Sequence, residues 1–105
     1  MIADNLQPPY YAVIFSSILT DDTDDYETTA NRMVSLAKQQ PGYLGIESAR
    51  SEIGITVSYW ESMDAIVQWK NNAEHTLVRE QGRKTWYKKY SVRICKVERE
   101  YGFEN

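Results

Sequence analysis

Apolar residues follow two different spacings in the first half of the chain, which predict a strand and then a helix. Residues 10–19 are β-branched, aromatic or small almost throughout, and this composition favours a strand. The next apolar residues recur at intervals of four, three and four positions, which places them on one side of a helix: Tyr26, Ala30, Met33 and Ala37. We expect the acids of segment 21–25 to cap its start and Gln40-Pro41-Gly42 to end it.

The second half predicts a hairpin, a second helical region and a last strand. Residues 43–51 and 55–60 have strand composition and are joined by a turn around Glu52 and Gly54. Ser62 is a predicted N-cap before the stripe Ala65, Ile66, Trp69 and Ala73. We expect Asn71-Asn72 to weaken that helix, so that a further helical piece runs from about 73 to 82 before a strand over 89–99. The order β-α-β-β-α-β predicts a ferredoxin-like α+β fold with a four-stranded antiparallel sheet.

The first strand is apolar on both of its sides. Tyr11, Val13 and Phe15 point one way, whereas Ala12 and Ile14 point the other. A strand with one wet face alternates apolar and polar residues, so this pattern predicts that both faces of the sheet are covered. Helices cover one face. The simplest way to cover the other is association with the same face of a second copy. We therefore expect a homodimer that associates through the sheet face. The competing interpretation is that a loop or the N-terminal segment covers it.

Length and composition limit the classes of function. The 105 residues allow one domain, which we assign to 10–103 after a mobile lead-in over 1–9. No apolar run is long enough to span a membrane, and one cysteine cannot form an intramolecular disulfide, so we expect a cytoplasmic protein with no membrane partner. A net charge of −3 gives no electrostatic basis for nucleic-acid binding. We expect Cys95 to be a small buried residue in the last strand.

The sequence lacks the common cofactor and metal motifs. A single histidine and a single cysteine cannot form a zinc site within one chain. The glycines are too scattered for a phosphate-binding loop, and the acids of segment 21–25 lack the glycine and terminal glutamate of a calcium loop. We therefore expect no metal site.

Three segments carry a resemblance to a known family. Residues 40–50 (QPGYLGIESAR), 54–75 (GITVSYWESMDAIVQWKNNAEH) and 92–103 (VRICKVEREYGF) resemble the antibiotic biosynthesis monooxygenase domain. The resemblance covers about residues 10–103 and implies a dimeric α+β barrel built from two ferredoxin-like subunits. The family includes quinol oxygenases that use no cofactor, haem-degrading monooxygenases, and members without demonstrated activity. The fold follows from this resemblance more directly than the function does.

Of the three site residues that the haem-degrading branch uses, this sequence has a match for one. That branch uses an asparagine of the first strand, a tryptophan of the second helix and a histidine that ligates iron. Trp69 matches the tryptophan, but Ser16 stands at the asparagine position and Arg79 at the histidine position. A guanidinium stays protonated and has no lone pair for iron. His75, one helical turn earlier, would replace it only with a shifted haem, so we expect no cofactor and rank haem degradation third.

The resemblance to cofactor-free oxygenases gives a hypothesis for the site. His75, the only histidine, is the candidate general base, and Arg79 one turn later is the candidate cation that stabilises a substrate anion. These two residues share a predicted helical face with Gly82 and Trp86. Trp69 and Trp86 are the candidate walls around an aromatic ring. The alternative is that His75 is structural and that the tryptophans fill the core.

Two serines inside apolar strands complete the candidate substrate-binding residues. Ser16 and Ser58 are each able to bond a ligand, or else make room for a bulky neighbour. The leading hypothesis is a cofactor-independent monooxygenase that oxidises a small aromatic, quinol-type substrate. The alternative is a non-catalytic homodimer that binds a small molecule or is purely structural. For Trp60 we predict core packing.

Overall fold

The computed structural model describes residues 2–81 and 86–105, with side chains described for all of these except 78–81. Six elements follow the predicted order: β1 Tyr10–Leu19, α1 Tyr26–Lys38, β2 Tyr43–Arg50, β3 Gly54–Trp60, α2 Met63–Gln81 and β4 Tyr87–Val97. The strands form one antiparallel sheet in the order β2-β3-β1-β4. The predicted ferredoxin-like α+β fold is confirmed.

The register of β1 assigns each strand residue to one side of the sheet. Val13 lies between Ser58 of β3 and Ile94 of β4, and Ser17 lies between Gly54 and Tyr90. Because side chains alternate along a strand, odd-numbered residues of β1 point to one face and even-numbered residues to the other. The odd-numbered side faces the helices, and we call the even-numbered side the open face.

The core lies between the helices and one half of the sheet. Trp60 and Ala37 are fully buried, Ile66 is nearly so, and Tyr11 and Val13 pack against them. Trp69 stacks on Trp60 with ring centroids 5.8 Å apart and an interplanar angle of 21°. The predicted core role of Trp60 is confirmed. Both helices lie over β2 and β3 rather than over β4.

The predicted ends of the helices are confirmed at two points and corrected at one. Ser62 Oγ accepts a 3.1 Å hydrogen bond from the Ala65 N–H, as expected of an N-cap. Gly42 has φ 81°, and a Cβ there would lie 2.7 Å from Ala65 Cβ, so both the turn and the close approach require glycine. Asp25 stands at the start of α1 with φ 64°, but its side chain makes no capping hydrogen bond.

Two predicted boundaries were wrong. Helix α2 continues through Asn71 and Asn72 without a break, because its apolar stripe packs on the core and Asn72 Nδ2 donates a 3.0 Å hydrogen bond to Gln40 Oε1. Strand β4 begins at Tyr87 and ends at Val97, because pairing with β1 extends to Leu19 at one end and to Tyr10 at the other. It is an edge strand that carries four cations: Lys88, Lys89, Arg93 and Lys96.

The N-terminal segment lies on one end of the open face. The backbone N–H of Ala3 donates to Glu47 Oε2 at 2.9 Å, and that of Leu6 donates to Glu100 Oε2 at 3.1 Å. Two buried or half-buried phenols donate to the same carboxylates, Tyr59 to Glu47 and Tyr10 to Glu100. The mobility of segment 1–9 stays a prediction. At the other end of the open face, Ile55 is 46% exposed.

Cys95 is exposed, which corrects the prediction that it is buried. It lies on the open face of β4, opposite Ala12, where no helix covers it. Within the described ranges, no helix combines the length and apolar content needed to cross a bilayer.

Candidate functional site

The two tryptophans predicted to flank one ring lie far apart. Trp69 stacks on Trp60, which pairs with Tyr11 near the start of β1. Trp86 lies at the opposite end of β1, where its carbonyl oxygen accepts a 2.7 Å hydrogen bond from the Thr20 N–H. Thr20 follows Tyr11 by nine positions of extended chain, which corresponds to roughly 30 Å. The structure therefore contradicts a sandwich of one substrate ring between Trp69 and Trp86.

The described structure does not place the predicted base His75 or the predicted cation Arg79 over the sheet. His75 is exposed and follows Ile66 by nine positions, about half a helical turn away from the buried side of α2. The backbone of Arg79 belongs to α2, but its side chain lies outside the described residues, as does Gly82. Trp86 does not share their helical face, because Trp86 itself is not part of a helix.

The two candidate serines lie on opposite faces of the sheet. Ser58 is buried on the helix side, where its Oγ accepts a 2.9 Å hydrogen bond from Trp60 Nε1. Ser16 is half-buried on the open face, between Ile55 and Ser91. One ligand therefore does not reach both serines, and Ser58 has a structural partner.

A different surface on the helix side carries exposed apolar side chains. Because the helices lie over β2 and β3, the helix-facing residues of β4 are left open, with Tyr90 60%, Val92 49% and Ile94 46% exposed. Phe15 of β1 is half-buried beside them, opposite Val92. An exposed apolar patch of this kind marks a binding surface in many proteins. We call it the β4 surface and define it by Phe15, Tyr87, Tyr90, Val92 and Ile94.

Aromatic rings form one end of the β4 surface. Phe15 stacks on Tyr90 at 5.4 Å with an interplanar angle of 23°, and it meets the edge of Tyr87 at 5.4 Å and 72°. Tyr26, the first residue of α1, meets Tyr87 at 5.7 Å and Trp86 at 5.8 Å, both edge to face. Trp86 is fixed by a 2.8 Å hydrogen bond from its Nε1 to the carbonyl oxygen of Asp24. Such an assembly offers flat faces for a ring-shaped ligand.

Arg50 brings a positive charge to this aromatic end. Its Nη2 donates to Ser17 Oγ at 2.5 Å and to the Tyr26 hydroxyl at 3.4 Å, and its Nη1 donates to the Ser17 carbonyl oxygen at 3.4 Å. The guanidinium carbon also lies 5.7 Å from the centre of the Tyr26 ring, within cation–π range. Arg50 comes from the edge strand β2, so its side chain crosses β3 to reach β1.

The phenol of Tyr87 stays protonated at neutral pH. Burial is the main cause that raises the pKa of Tyr87 above its ordinary value, followed by its hydrogen bond with Tyr26, while the charge of Arg50 acts in the opposite direction. A neutral phenol donates and accepts hydrogen bonds but is not a general base at pH 7. The chemistry available here is therefore ring stacking, hydrogen bonding and a fixed positive charge.

A second concave region lies at the β2 edge of the sheet. It is a cleft of about 550 Å³ between the N-terminal segment, α1 and β2. Its one aromatic lining residue is Tyr43, and the carboxylate of Glu47 in its wall already accepts hydrogen bonds from Tyr59 and Ala3. The cleft therefore has less aromatic surface than the β4 surface. Its carboxylate already accepts hydrogen bonds from two donors.

Sequence reasoning missed Arg50, Tyr26, Tyr87 and Tyr90. The alternation of apolar and polar residues in β4 was the available signal, because Tyr90, Val92 and Ile94 occupy every second position. Within the ranges that the structure describes, His, Cys, Asp and Glu side chains form no group of three or more that would hold a metal ion.

Comparison with known proteins identifies related sequences and similar folds. Residues 9–81 match the family described as antibiotic biosynthesis monooxygenase. The chain is 54% identical over 100 residues to the uncharacterized protein YqjZ of Bacillus subtilis (strain 168), covering 93% of this chain and 88% of that protein.

Solved structures share the fold at low sequence identity. SnoaB of Streptomyces nogalater, a cofactor-independent oxygenase, is 10% identical, with a TM-score of 0.67 over 88% of this chain and 96% of its own. A variant of MhuD with two manganese protoporphyrin IX molecules bound per active site is 18% identical, with a TM-score of 0.68 over 89% of this chain and 99% of its own. These likenesses establish the fold.

Proposed function

The chain belongs to the antibiotic biosynthesis monooxygenase family, and we propose from this that it oxidises a small aromatic, quinol-type molecule bound at the β4 surface. The location of the proposed substrate site is supported by the exposure of Tyr90, Val92 and Ile94 on the side of the sheet that faces the helices. The stacked pair of Phe15 and Tyr90 supports a flat ligand, because aromatic rings favour offset or edge contacts with one another.

The proposed reaction uses the substrate itself as the source of electrons. A deprotonated quinol or enol gives an electron to oxygen far more readily than its neutral form, so a site that stabilises the anion promotes the reaction. One oxygen atom enters a ring C–H bond of the quinol as a hydroxyl group while the quinol is oxidised to the quinone. The other oxygen atom leaves as water with the two hydrogens that the quinol loses. The role of this chain is to hold the ring and stabilise negative charge. SnoaB, which shares the fold, is a cofactor-independent oxygenase, and this supports a reaction without a cofactor.

Oxygen uptake tests this proposal. We expect the purified protein to consume oxygen with at least one member of a panel of naphthoquinols and anthrones, measured with an oxygen electrode against a protein-free control. In Tyr90→Ala we expect the KM for that substrate to rise roughly 3- to 10-fold, because one stacking contact is lost. The matched control is Lys89→Ala, whose side chain points to the open face. Absence of uptake above background across the panel would contradict the oxygenase proposal.

His75 is tested in the same assay. Its exposure on the outer side of α2 leads us to expect that His75→Ala keeps the wild-type rate and the wild-type pH profile. A large fall in kcat, with loss of a titration near neutral pH, would restore His75 as the general base.

A non-catalytic binding protein is the second candidate, and one observation favours it. The side chains of the β4 surface are aromatic or aliphatic, and the neighbouring Arg50 is a guanidinium, so these residues supply no carboxylate or imidazole as a general base. Tight binding of the aromatic panel by calorimetry, together with no oxygen uptake, is the expected result for this candidate.

Haem degradation remains the third candidate, and the donor set does not fit it. The only histidine of the sequence is His75, which is exposed on the side of α2 that faces away from the sheet. A haem on the β4 surface would therefore lack a histidine ligand from this chain. Titration with haem is expected to give no Soret shift that disappears in His75→Ala.

We also propose that the working form is a homodimer that associates through the open face. Ile55 is 46% exposed there and Ile18 is 37% exposed, while Ile14 and the Val57 paired with it lie half-buried next to Ile55 on the same face. Association of two copies through this face leaves the β4 surface of each copy on the outside, beside its own helices.

A further inference from the structure

We propose that Arg50 recognises a carboxylate on the aromatic substrate, so that the protein selects aromatic acids over neutral rings of the same shape. This inference rests on the proposed substrate surface and deepens it by naming the class of substrate. Three features carry it: the path of the side chain, its free hydrogen-bonding capacity, and its position beside the stacked rings.

The backbone of β3 is shaped to let the guanidinium cross the sheet. Gly54 pairs with Arg50 on one side and with Ser17 on the other. A Cβ built on Gly54 would fall within van der Waals overlap of the guanidinium of Arg50. Any other residue at position 54 would therefore displace the charged group. Gly54 is the first residue of β3, where the missing side chain leaves room for the guanidinium above the backbone.

The guanidinium keeps hydrogen-bonding capacity for a ligand. Its hydrogen bonds with Ser17 and Tyr26 use at most three of five N–H groups. The residue is exposed, and among the residues that the structure describes no acid forms an ion pair with it. A planar guanidinium held by neutral partners is suited to a carboxylate, because the two groups match in shape and charge.

The position of the charge relative to the rings sets the shape of the ligand. Ser17, which accepts from Arg50, lies directly opposite Tyr90 in the pairing of β1 with β4. Opposed residues have Cβ atoms about 5 Å apart, so the serine that accepts from Arg50 is a direct neighbour of the Tyr90 side chain. A ring that stacks on Tyr90 and Phe15 therefore directs a carboxylate substituent towards Arg50.

A purely structural role is the competing explanation. In that case Arg50 would tie the end of β2 to β1, and its removal would lower stability without changing ligand preference. The two explanations differ in a ratio of affinities for a charged and a neutral ligand, which a general loss of stability does not change.

The test is calorimetric titration with 2-naphthoate and with 2-naphthamide, which share one ring system. We expect the wild type to bind 2-naphthoate at least about tenfold more tightly than the amide, since charge-assisted hydrogen bonds are stronger than neutral ones. In Arg50→Gln and in Gly54→Ala we expect the ratio to fall to about one. The matched control is Arg93→Gln, which removes an equal charge from the open face and is expected to keep the wild-type ratio.

The outcomes separate this inference from the function on which it rests. Equal affinities for both ligands in the wild type would overturn the role of Arg50 and leave the β4 surface as a ring-binding site. Failure of both ligands to bind would overturn the inference and the proposed surface together. Circular dichroism monitors folding of the variants. Arg50→Lys, which keeps the charge and loses the planar fork, is expected to give an intermediate ratio. An unchanged ratio in all folded variants would overturn the inference.

Discussion

Single phenol groups carry the clearest electrostatic perturbations in this protein. Burial, followed by the hydrogen bond that its hydroxyl donates to Glu100, raises the pKa of Tyr10 to about 12. Burial and the hydrogen bond to Glu47 likewise raise the pKa of Tyr59. Both phenols anchor carboxylates that also accept backbone N–H groups of the N-terminal segment. Deprotonation of either phenol would place two negative charges side by side.

The first residue-scale prediction concerns alkaline pH. Tyrosine in the unfolded chain loses its proton near pH 10, whereas Tyr10 in the folded protein keeps it to about 12. The folded state therefore binds more protons between these values, and stability decreases as pH rises through that window. We expect Tyr10→Phe to show a shallower decrease from pH 10 to 12, measured as the free energy of unfolding in urea.

The control for this experiment is a tyrosine without a partner carboxylate. Tyr101 is 89% exposed, so Tyr101→Phe is expected to leave both the stability and its pH dependence unchanged. At pH 8, Tyr10→Phe is expected to be less stable by about 1–3 kcal/mol, because a hydrogen bond to a charged acceptor is lost. Equal slopes for wild type and Tyr10→Phe above pH 10 would contradict the assignment.

Residue types in the sequence predicted burial where packing alone decides it, as at Trp60. They did not predict the position of Arg50, because its partners Ser17 and Tyr26 are 33 and 24 positions away and meet it only once the sheet register is set. Cys95 was misjudged for a similar reason. Its strand is apolar on the helix side, but position 95 points to the open face of an edge strand.

At the scale of elements, helix α2 shows tertiary packing prevailing over local propensity. Two adjacent asparagines predict a break, since each is roughly 0.6 kcal/mol less favourable than alanine inside a helix. Ala65, Ile66 and Trp69 bury one side of α2 against the core, and this contribution exceeds the cost of the asparagines. Pattern analysis therefore located both helices and missed the continuity of the second.

The two asparagines give a matched element-scale prediction. Asn72 donates to Gln40 near the end of α1, whereas the side chain of Asn71 is exposed and has no hydrogen-bond partner among the described residues. We expect Asn71→Ala to stabilise the protein by roughly 0.5 kcal/mol through helix propensity. Asn72→Ala is expected to be near neutral, because the lost hydrogen bond offsets the same gain. Urea unfolding measures both variants.

A result in which both variants gain equally would mean that the contact between Asn72 and Gln40 contributes nothing in solution. A loss of helical content in Asn71→Ala, seen by circular dichroism, would contradict the continuous helix itself.

At the scale of the whole molecule, the apolar character of β1 on both sides is the feature from which the dimer was predicted. Part of this apolar area is already covered within a single copy, because Ala12 and Tyr10 are buried on the open face beside the N-terminal segment. Ile55, farther along the same face, is left half exposed. A symmetric partner would cover this remaining apolar area in both copies at once.

The dimer prediction is tested by two substitutions of equal chemistry on opposite faces. Ile55 is 46% exposed on the open face and Val92 is 49% exposed on the helix side. We expect Ile55→Glu to shift the sedimentation coefficient from that of a dimer to that of a monomer, because its charge would be buried between like copies. Val92→Glu is expected to remain dimeric. The opposite result would place the interface on the helix side, and a monomeric wild type at micromolar concentration would exclude the dimer.

The four cations of β4 limit how copies of this protein can meet. An edge strand with unpaired backbone groups is a template for sheet extension and aggregation. Lys88, Lys89, Arg93 and Lys96 would bring like charges together if two β4 edges approached each other. Because mobile ions shorten the range of this repulsion to about 3 Å at 1 M salt, crystallisation or storage in concentrated salt is where fibrous assembly through the β4 edge should be looked for first.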